Sequence, residues 1–318
     1  MKKIVITRKI NPTMIQKLEK DFEVVVWNEA EKPMPRERFL EETSDAHGVL
    51  AMLSDKVDEE MLSNAQNLKV VANLAVGYDN IDLESARAHK VIITNTPDVL
   101  TETTAELAFT LMLTSARRVL EANRQLMAGE WSGWSPYHMA GTDIFGKTVG
   151  IFGMGSIGAA FARRLSGFRT KVLYHNRSQS ELGDSLGAEF VSFDDLLSAS
   201  DFILCAAPLT DETKYRFDKA AFERMKESAF FINIGRGAHV VEEDLAEAVE
   251  QGQIRGAALD VFENEPIGKD HPFVGMDNMT LLPHIGSASV DTRNNMMNLC
   301  VNNVMEVLNG GKPITPVK

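Results

Sequence analysis

A chain of 318 residues, at roughly 150 residues per domain, predicts about two domains with a core each and excludes a mini-protein. Hydrophobic residues at 44% and charged residues at 25% match an ordinary folded protein and exclude general disorder. Lys and Arg number 33 against 45 Asp and Glu, a net charge of -12 that repels phosphate backbones and anionic bilayers, so neither nucleic acid nor membrane is an expected partner.

The two cysteines, Cys205 and Cys300, form no C-x-x-C pair and sit in apolar segments, which predicts a reducing cytoplasm. The opening apolar run Ile4-Val5-Ile6 is too short for a signal-peptide core, and no run approaches a membrane span.

Short β-branched runs at residues 4–7, 22–27, 48–52, 69–74 and 91–95 alternate with amphipathic stretches such as 14–20 and 58–65. This predicts a β-α series on a parallel sheet. After Pro97 a helical pattern opens at the capping-box spacing Thr103-Thr104-Ala105-Glu106 and runs on through Leu107, Leu111, Ala116 and Leu120, as one long helix able to bridge two domains. Residues 129–141 have no period and are predicted as a loop, one that carries Trp131, Trp134 and Tyr137. A second series follows, with strands near 149–152, 171–175, 190–192, 202–206, 230–234, 257–260 and 280–282. It predicts a complete doubly wound unit. The last helical pattern, 289–308, sets Met296, Cys300, Val304 and Val307 on one face, which suggests a return to the first domain.

The strand at 149–152 runs straight into Gly153-Met154-Gly155-Ser156-Ile157-Gly158 and then into a helix. In that setting G-x-G-x-x-G is a dinucleotide fingerprint: Gly153 makes the tight turn, Gly155 admits the pyrophosphate and Gly158 lets helix meet sheet. At the end of the next strand, where NAD-binding chains present an acid to the ribose, this one reads Tyr174-His175-Asn176-Arg177-Ser178. A guanidinium with two small polar groups suits the 2′-phosphate of NADP, so NADP is the preferred cofactor and NAD a secondary one.

Three later segments each place a polar residue just past a strand: Gly235-Arg236-Gly237, Asp260 to Glu265-Pro266, and Pro283-His284-Ile285. They should converge at one carboxyl sheet edge beside the cofactor crevice. Together they describe a carbonyl-reducing site. A guanidinium binds a substrate carboxylate, an imidazolium protonates the developing alkoxide, and a carboxylate beside an imidazole favours its protonated form. There is no G-x-S-x-G elbow, no H-E-x-x-H and no close His/Cys/Asp cluster, so hydrolase and metal readings lack their residues. His47, His89, His138, His239 and His271 are left as surface or structural groups.

With these motifs, and with Leu74-Ala75-Val76-Gly77-Tyr78-Asp79-Asn80-Ile81-Asp82, Asn95-Thr96-Pro97-Asp98-Val99 and Thr104-Ala105-Glu106-Leu107, the chain resembles the D-isomer-specific 2-hydroxyacid dehydrogenases over nearly its whole length. The likeness is greatest to the glyoxylate/hydroxypyruvate reductase branch. The resemblance implies two doubly wound parallel-sheet domains, a Rossmann cofactor domain (101–284) inserted into a flavodoxin-like substrate domain (1–100 and 285–318). It implies Arg236, Glu265 and His284 as the catalytic set, backbone N–H groups of Val76 and Gly77 for the substrate carboxylate, and Thr104, Pro208 and Asp260 at the cofactor. It also implies a homodimer made through the cofactor domain, with Trp134 reaching the neighbouring subunit's substrate cleft. The expected activity is NADPH-dependent reduction of glyoxylate, hydroxypyruvate or a sugar-derived acid such as 2-ketogluconate. The alternative is a nicotinamide-nucleotide-sensing corepressor, a branch that carries long extra termini.

Overall fold

The computed structural model describes residues 1–317. They form two units, Met1–Leu100 with the residues from Ala288 onward, and Thr101–Ser287. The second junction lies slightly past the expected 284/285. Its cause is the carboxylate of Asp260, which accepts the N–H groups of Ile285 and Gly286 at 2.7 Å each and so keeps that turn in the second unit.

The first unit runs β1 (Lys3–Ile6), α1 (Pro12–Leu18), β2 (Glu23–Val26), α2 (Arg36–Thr43), β3 (Gly48–Ala51), α3 (Glu59–Asn64), β4 (Val70–Asn73), α4 (Leu83–Ala88) and β5 (Ile92–Thr94). All its strands are parallel, in the order β2-β1-β3-β4-β5. Every residue of β3 and β4 is buried, as expected of strands covered on both faces, so these runs are apolar without alternation except for Asn73 at the end of β4. Asp58 and Asp82 start α3 and α4 by accepting the N–H groups of Met61 and Ser85, donors that a helix start otherwise leaves unpaired.

The second unit runs α5 (Thr101–Ala116), α6 (Val119–Met127), β6 (Thr148–Phe152), α7 (Ser156–Arg164), β7 (Lys171–His175), α8 (Glu181–Ser185), β8 (Glu189–Phe190), α9 (Phe193–Ala199), β9 (Phe202–Cys205), α10 (Lys219–Arg224), β10 (Phe230–Asn233), α11 (Glu242–Glu250), β11 (Gly256–Leu259) and β12 (Met279–Leu281). Its parallel sheet has the order β12-β11-β10-β9-β6-β7-β8. Strand pleating sends Phe202 and Leu204 to one face and Ile203 and Cys205 to the other, into two separate cores. The chain reverses direction across the sheet at β6, and the crevice at such a switch point is where doubly wound sheets bind ligands.

The single long helix expected after Pro97 is two helices. Arg118 adopts a left-handed φ of 53°, and its guanidinium bonds both carboxylate oxygens of Glu121 at 2.7 and 2.5 Å. That pairing holds the break between α5 and α6. The last helix, α12 (Val290–Leu308), belongs to the first unit. It buries Met296, Cys300, Val301, Val304 and Leu308, and Gly48 of β3 leaves room for Val304 and Leu308. Among the described residues no helix is long and apolar enough to cross a membrane.

Candidate active site

Six strand ends of the second unit carry the glycine turn, Asn176 to Ser178, Pro208, Arg236, Asp260 to Glu265 and His284 on one edge of its sheet. The turn after β6 has Gly153 at φ 103°, where a side chain would strike the backbone of Ala207 at 2.4 Å. A Cβ on Gly158 would meet the Gly153 carbonyl at 2.4 Å, whereas one on Gly155 would meet nothing within 4 Å. Two of the glycines are thus demanded by the fold, and the third faces open space where backbone can approach a ligand. Ser156 and Ile157 open α7, a helix start with no side-chain cap, so its N–H groups and dipole remain for an anion. These residues fit the pyrophosphate of a dinucleotide.

After β7, Asn176 spends its side chain on this turn. Its Oδ1 accepts the Met154 N–H at 2.7 Å and its Nδ2 donates to the Met154 carbonyl at 3.4 Å. Arg177 and Ser178 are exposed, and the Arg177 guanidinium lies 3.8 Å from Glu212. Pro208 follows β9, and its carbonyl accepts the Thr213 hydroxyl at 2.8 Å.

Past β10, the buried amide of Asn233 shapes the Arg236 turn. It donates to the Arg236 carbonyl at 2.8 Å and accepts the Gly235 N–H at 3.0 Å. The Arg236 guanidinium is half-buried and donates to the Gly235 carbonyl at 2.9 Å. A Cβ on Gly237 would lie 1.8 Å from the Phe262 carbonyl carbon. Only glycine lets the arginine turn lie against the loop that carries Glu265.

That loop follows β11. Glu265 divides its oxygens: Oε1 accepts the Phe262 N–H at 2.9 Å, and Oε2 lies 2.6 Å from Nδ1 of His284. Burial pushes the Glu265 carboxyl up, but the bond to His284, the charge of His284, the Phe262 N–H and the Arg236 charge together hold it below the ordinary range. His284 sits past β12 at φ 52°. Asp260 supports that conformation from below through Ile285 and Gly286, with the buried Thr104 against Gly286. Burial raises the Asp260 carboxyl, with the charge of Glu265 adding to it. The two N–H bonds and the His284 charge offset this only in part.

The arrangement places a hydrogen-bonded acid-imidazole pair and a guanidinium at the edge that also carries a dinucleotide turn. Residues 109–286 match the family model for the D-isomer specific 2-hydroxyacid dehydrogenase, NAD binding domain. The chain belongs to the D-isomer specific 2-hydroxyacid dehydrogenase family. It is an NAD(P)-dependent oxidoreductase. It is 44% identical to a glyoxylate reductase of Pyrococcus horikoshii, over 99% of this chain and 95% of the relative. It is 45% identical to that of Thermococcus onnurineus, again over 99% and 95%. Among solved structures it is similar to an NADPH-dependent glyoxylate/hydroxypyruvate reductase of Sinorhizobium meliloti in complex with NADP and malonate. That likeness has a TM-score of 0.87 and 34% identity, over 99% of this chain and 96% of the other. These likenesses favour the enzyme over the nucleotide-sensing alternative.

Val76 and Gly77 lie in the first unit, after β4, where their carbonyls accept the amides of Asn95 and Asn73 at 2.8 and 2.9 Å. Trp134 is 83% exposed and Tyr137 89%, so neither ring folds back onto its own chain. Among the described residues no three His, Cys, Asp or Glu side chains gather as a metal site. Asn233 and His239, both buried and both bonded to the arginine turn, are functional-site residues that no motif marks. The only available hint was their position beside Arg236.

Proposed function

We propose that this enzyme reduces glyoxylate and hydroxypyruvate, and by the same chemistry a sugar-derived acid such as 2-ketogluconate, to D-2-hydroxy acids, with NADPH preferred to NADH. The observation that carries this is the 2.6 Å pair of His284 and Glu265 on the same sheet edge as Arg236. When bound, the reduced nicotinamide supplies hydride to the carbonyl carbon. Because a carboxylate only accepts, Nδ1–H of His284 donates to Glu265, and the imidazolium, the one form that also carries a proton on Nε2, gives that proton to the carbonyl oxygen and is left neutral. Arg236 offers a planar fork of donors to the substrate carboxylate. In the first unit, the backbone N–H groups of Val76 and Gly77 are assigned to a carboxylate as well.

Gly153, Gly155, Ser156, Ile157 and Gly158 would hold the pyrophosphate, with Thr104, Pro208 and Asp260 shaping the remaining cofactor surface. Arg177 and Ser178 would take the 2′-phosphate, and Asn176 acts by fixing the glycine turn. The complex of the Sinorhizobium meliloti enzyme with NADP supports this cofactor choice. We further assign a homodimer, on the apolar surface that Val119, Leu126, Met127, Trp131 and Trp134 leave exposed in one stretch, with Trp134 serving the neighbouring subunit's cleft. Two buried free cysteines are in keeping with a reducing cytoplasm.

The test is a panel of the three acids with NADPH and with NADH, ranked by kcat/KM. Turnover of glyoxylate or hydroxypyruvate, faster with NADPH, is the expected result. No turnover of any 2-keto acid overturns the assignment.

A further inference from the structure

His239 has no accessible surface, although nothing in its sequence neighbourhood marks it. It lies three residues past Arg236 at the start of the turn, with Phe217 donating its N–H to the His239 carbonyl at 3.0 Å. Both ring nitrogens have partners. Nδ1 lies 3.0 Å from both the backbone N and the carbonyl O of Arg236, and Nε2 lies 3.3 Å from the Pro208 carbonyl. A carbonyl can only accept and a peptide N–H can only donate, so the neutral tautomer with its proton on Nε2 and its lone pair on Nδ1 serves the Arg236 N–H and the Pro208 carbonyl together. The ring is held in place on a third side. A Cβ on Gly235 would fall 2.9 Å from its Cε1, so glycine at 235 is what lets the imidazole reach both partners.

The two partners belong to different parts of the proposed site. Arg236 is the substrate's guanidinium, on the turn after β10. Pro208 is on the cofactor-side loop after β9. We infer that His239 is a positioning residue, which sets the Arg236 turn through Nδ1 and the Pro208 loop through Nε2, so that substrate and cofactor subsites are tuned by separate nitrogens of one buried imidazole. This inference rests on the assignments of Arg236 to the keto acid and of Pro208 to the cofactor.

The two nitrogens can be removed one at a time. Asn places a polar atom where Nδ1 stands but does not reach Nε2, and Gln places its amide near Nε2 but leaves Nδ1 empty. Leu fills much of the volume and supplies neither. Steady-state kinetics with glyoxylate and NADPH, with a melting curve for each variant, should show His239→Leu raising both KM values by about three- to tenfold, the worth of one lost hydrogen bond each. The fall in kcat should be smaller. His239→Asn should restore the glyoxylate KM and leave the NADPH KM high, and His239→Gln should do the reverse.

A merely structural histidine would not separate the two constants. If both KM values move together across the Asn and Gln variants, or if neither moves, the inference is overturned, whether or not the Leu variant folds. Arg236→Lys, measured in parallel, separates the two levels of the claim. An unchanged glyoxylate KM in that variant means that the assignment of Arg236 has failed. A raised KM there, with no separation at His239, means that only the positioning role has failed.

Discussion

Nδ1 of His284 lies 2.6 Å from Oε2 of Glu265, and the same carboxylate is anchored through its other oxygen to the Phe262 N–H. The carboxyl is held below its ordinary range, so the pair survives as the pH falls through the usual glutamate value of roughly 4.3 and breaks only below it. A depressed acid contributes stability that is complete above its unfolded pKa and lost as the pH falls through its folded one. In Glu265→Gln, the loss of urea stability relative to wild type should therefore still be present at about pH 5 and vanish only at more acid pH. kcat should fall by at least about tenfold. A stability difference that is already gone at pH 6 would contradict the pairing.

Arg236→Lys replaces a planar two-point donor with a single ammonium. KM for the keto acid should rise by about tenfold or more, while KM for the cofactor changes little. Steady-state titration of each substrate at saturation of the other measures this. An unchanged keto-acid KM removes Arg236 as the carboxylate clamp.

Arg177 is 84% exposed and 3.8 Å from Glu212, so solvent and a neighbouring acid both weaken its hold on a phosphate. Arg177→Ala should raise KM for NADPH by about tenfold and leave that for NADH unchanged. Glu212→Gln should lower KM for NADPH. If wild-type protein has the higher kcat/KM with NADH, the ribose end is recognised by other residues.

Sedimentation at micromolar concentration should give a species of about twice the 35.2 kDa chain mass. Replacing both Trp134 and Met127, which are 83% and 79% exposed, with Ser should weaken that association. A monomer in the wild type removes the proposed role of Trp134 in a neighbouring cleft.

The sequence was informative where chemistry is local. The glycine turn is legible because the strand, the three glycines and the helix are contiguous, and Arg236, Glu265 and His284 can be placed because each follows a strand of one parallel sheet. The bonds of Asn176 to the glycine turn are not, since they run to Met154 on another strand end, and only the folded sheet brings the two together. His239 was hidden for the same reason: its meaning lies in Pro208, 31 positions away. The break at Arg118 escaped because helical periodicity continues across it, and a left-handed residue held by Glu121 has no signature of its own. The junction past His284 is set by Asp260, a long-range bond that no composition change marks.

The most direct measurement is the turnover of glyoxylate by His284→Asn with NADPH at saturation, alongside cofactor binding by fluorescence. kcat should fall by about 10² to 10⁴, the usual worth of a positioned general acid, with NADPH affinity unchanged. A kcat within about twofold of wild type would show that His284 is not the proton donor and that the pair with Glu265 serves the fold alone.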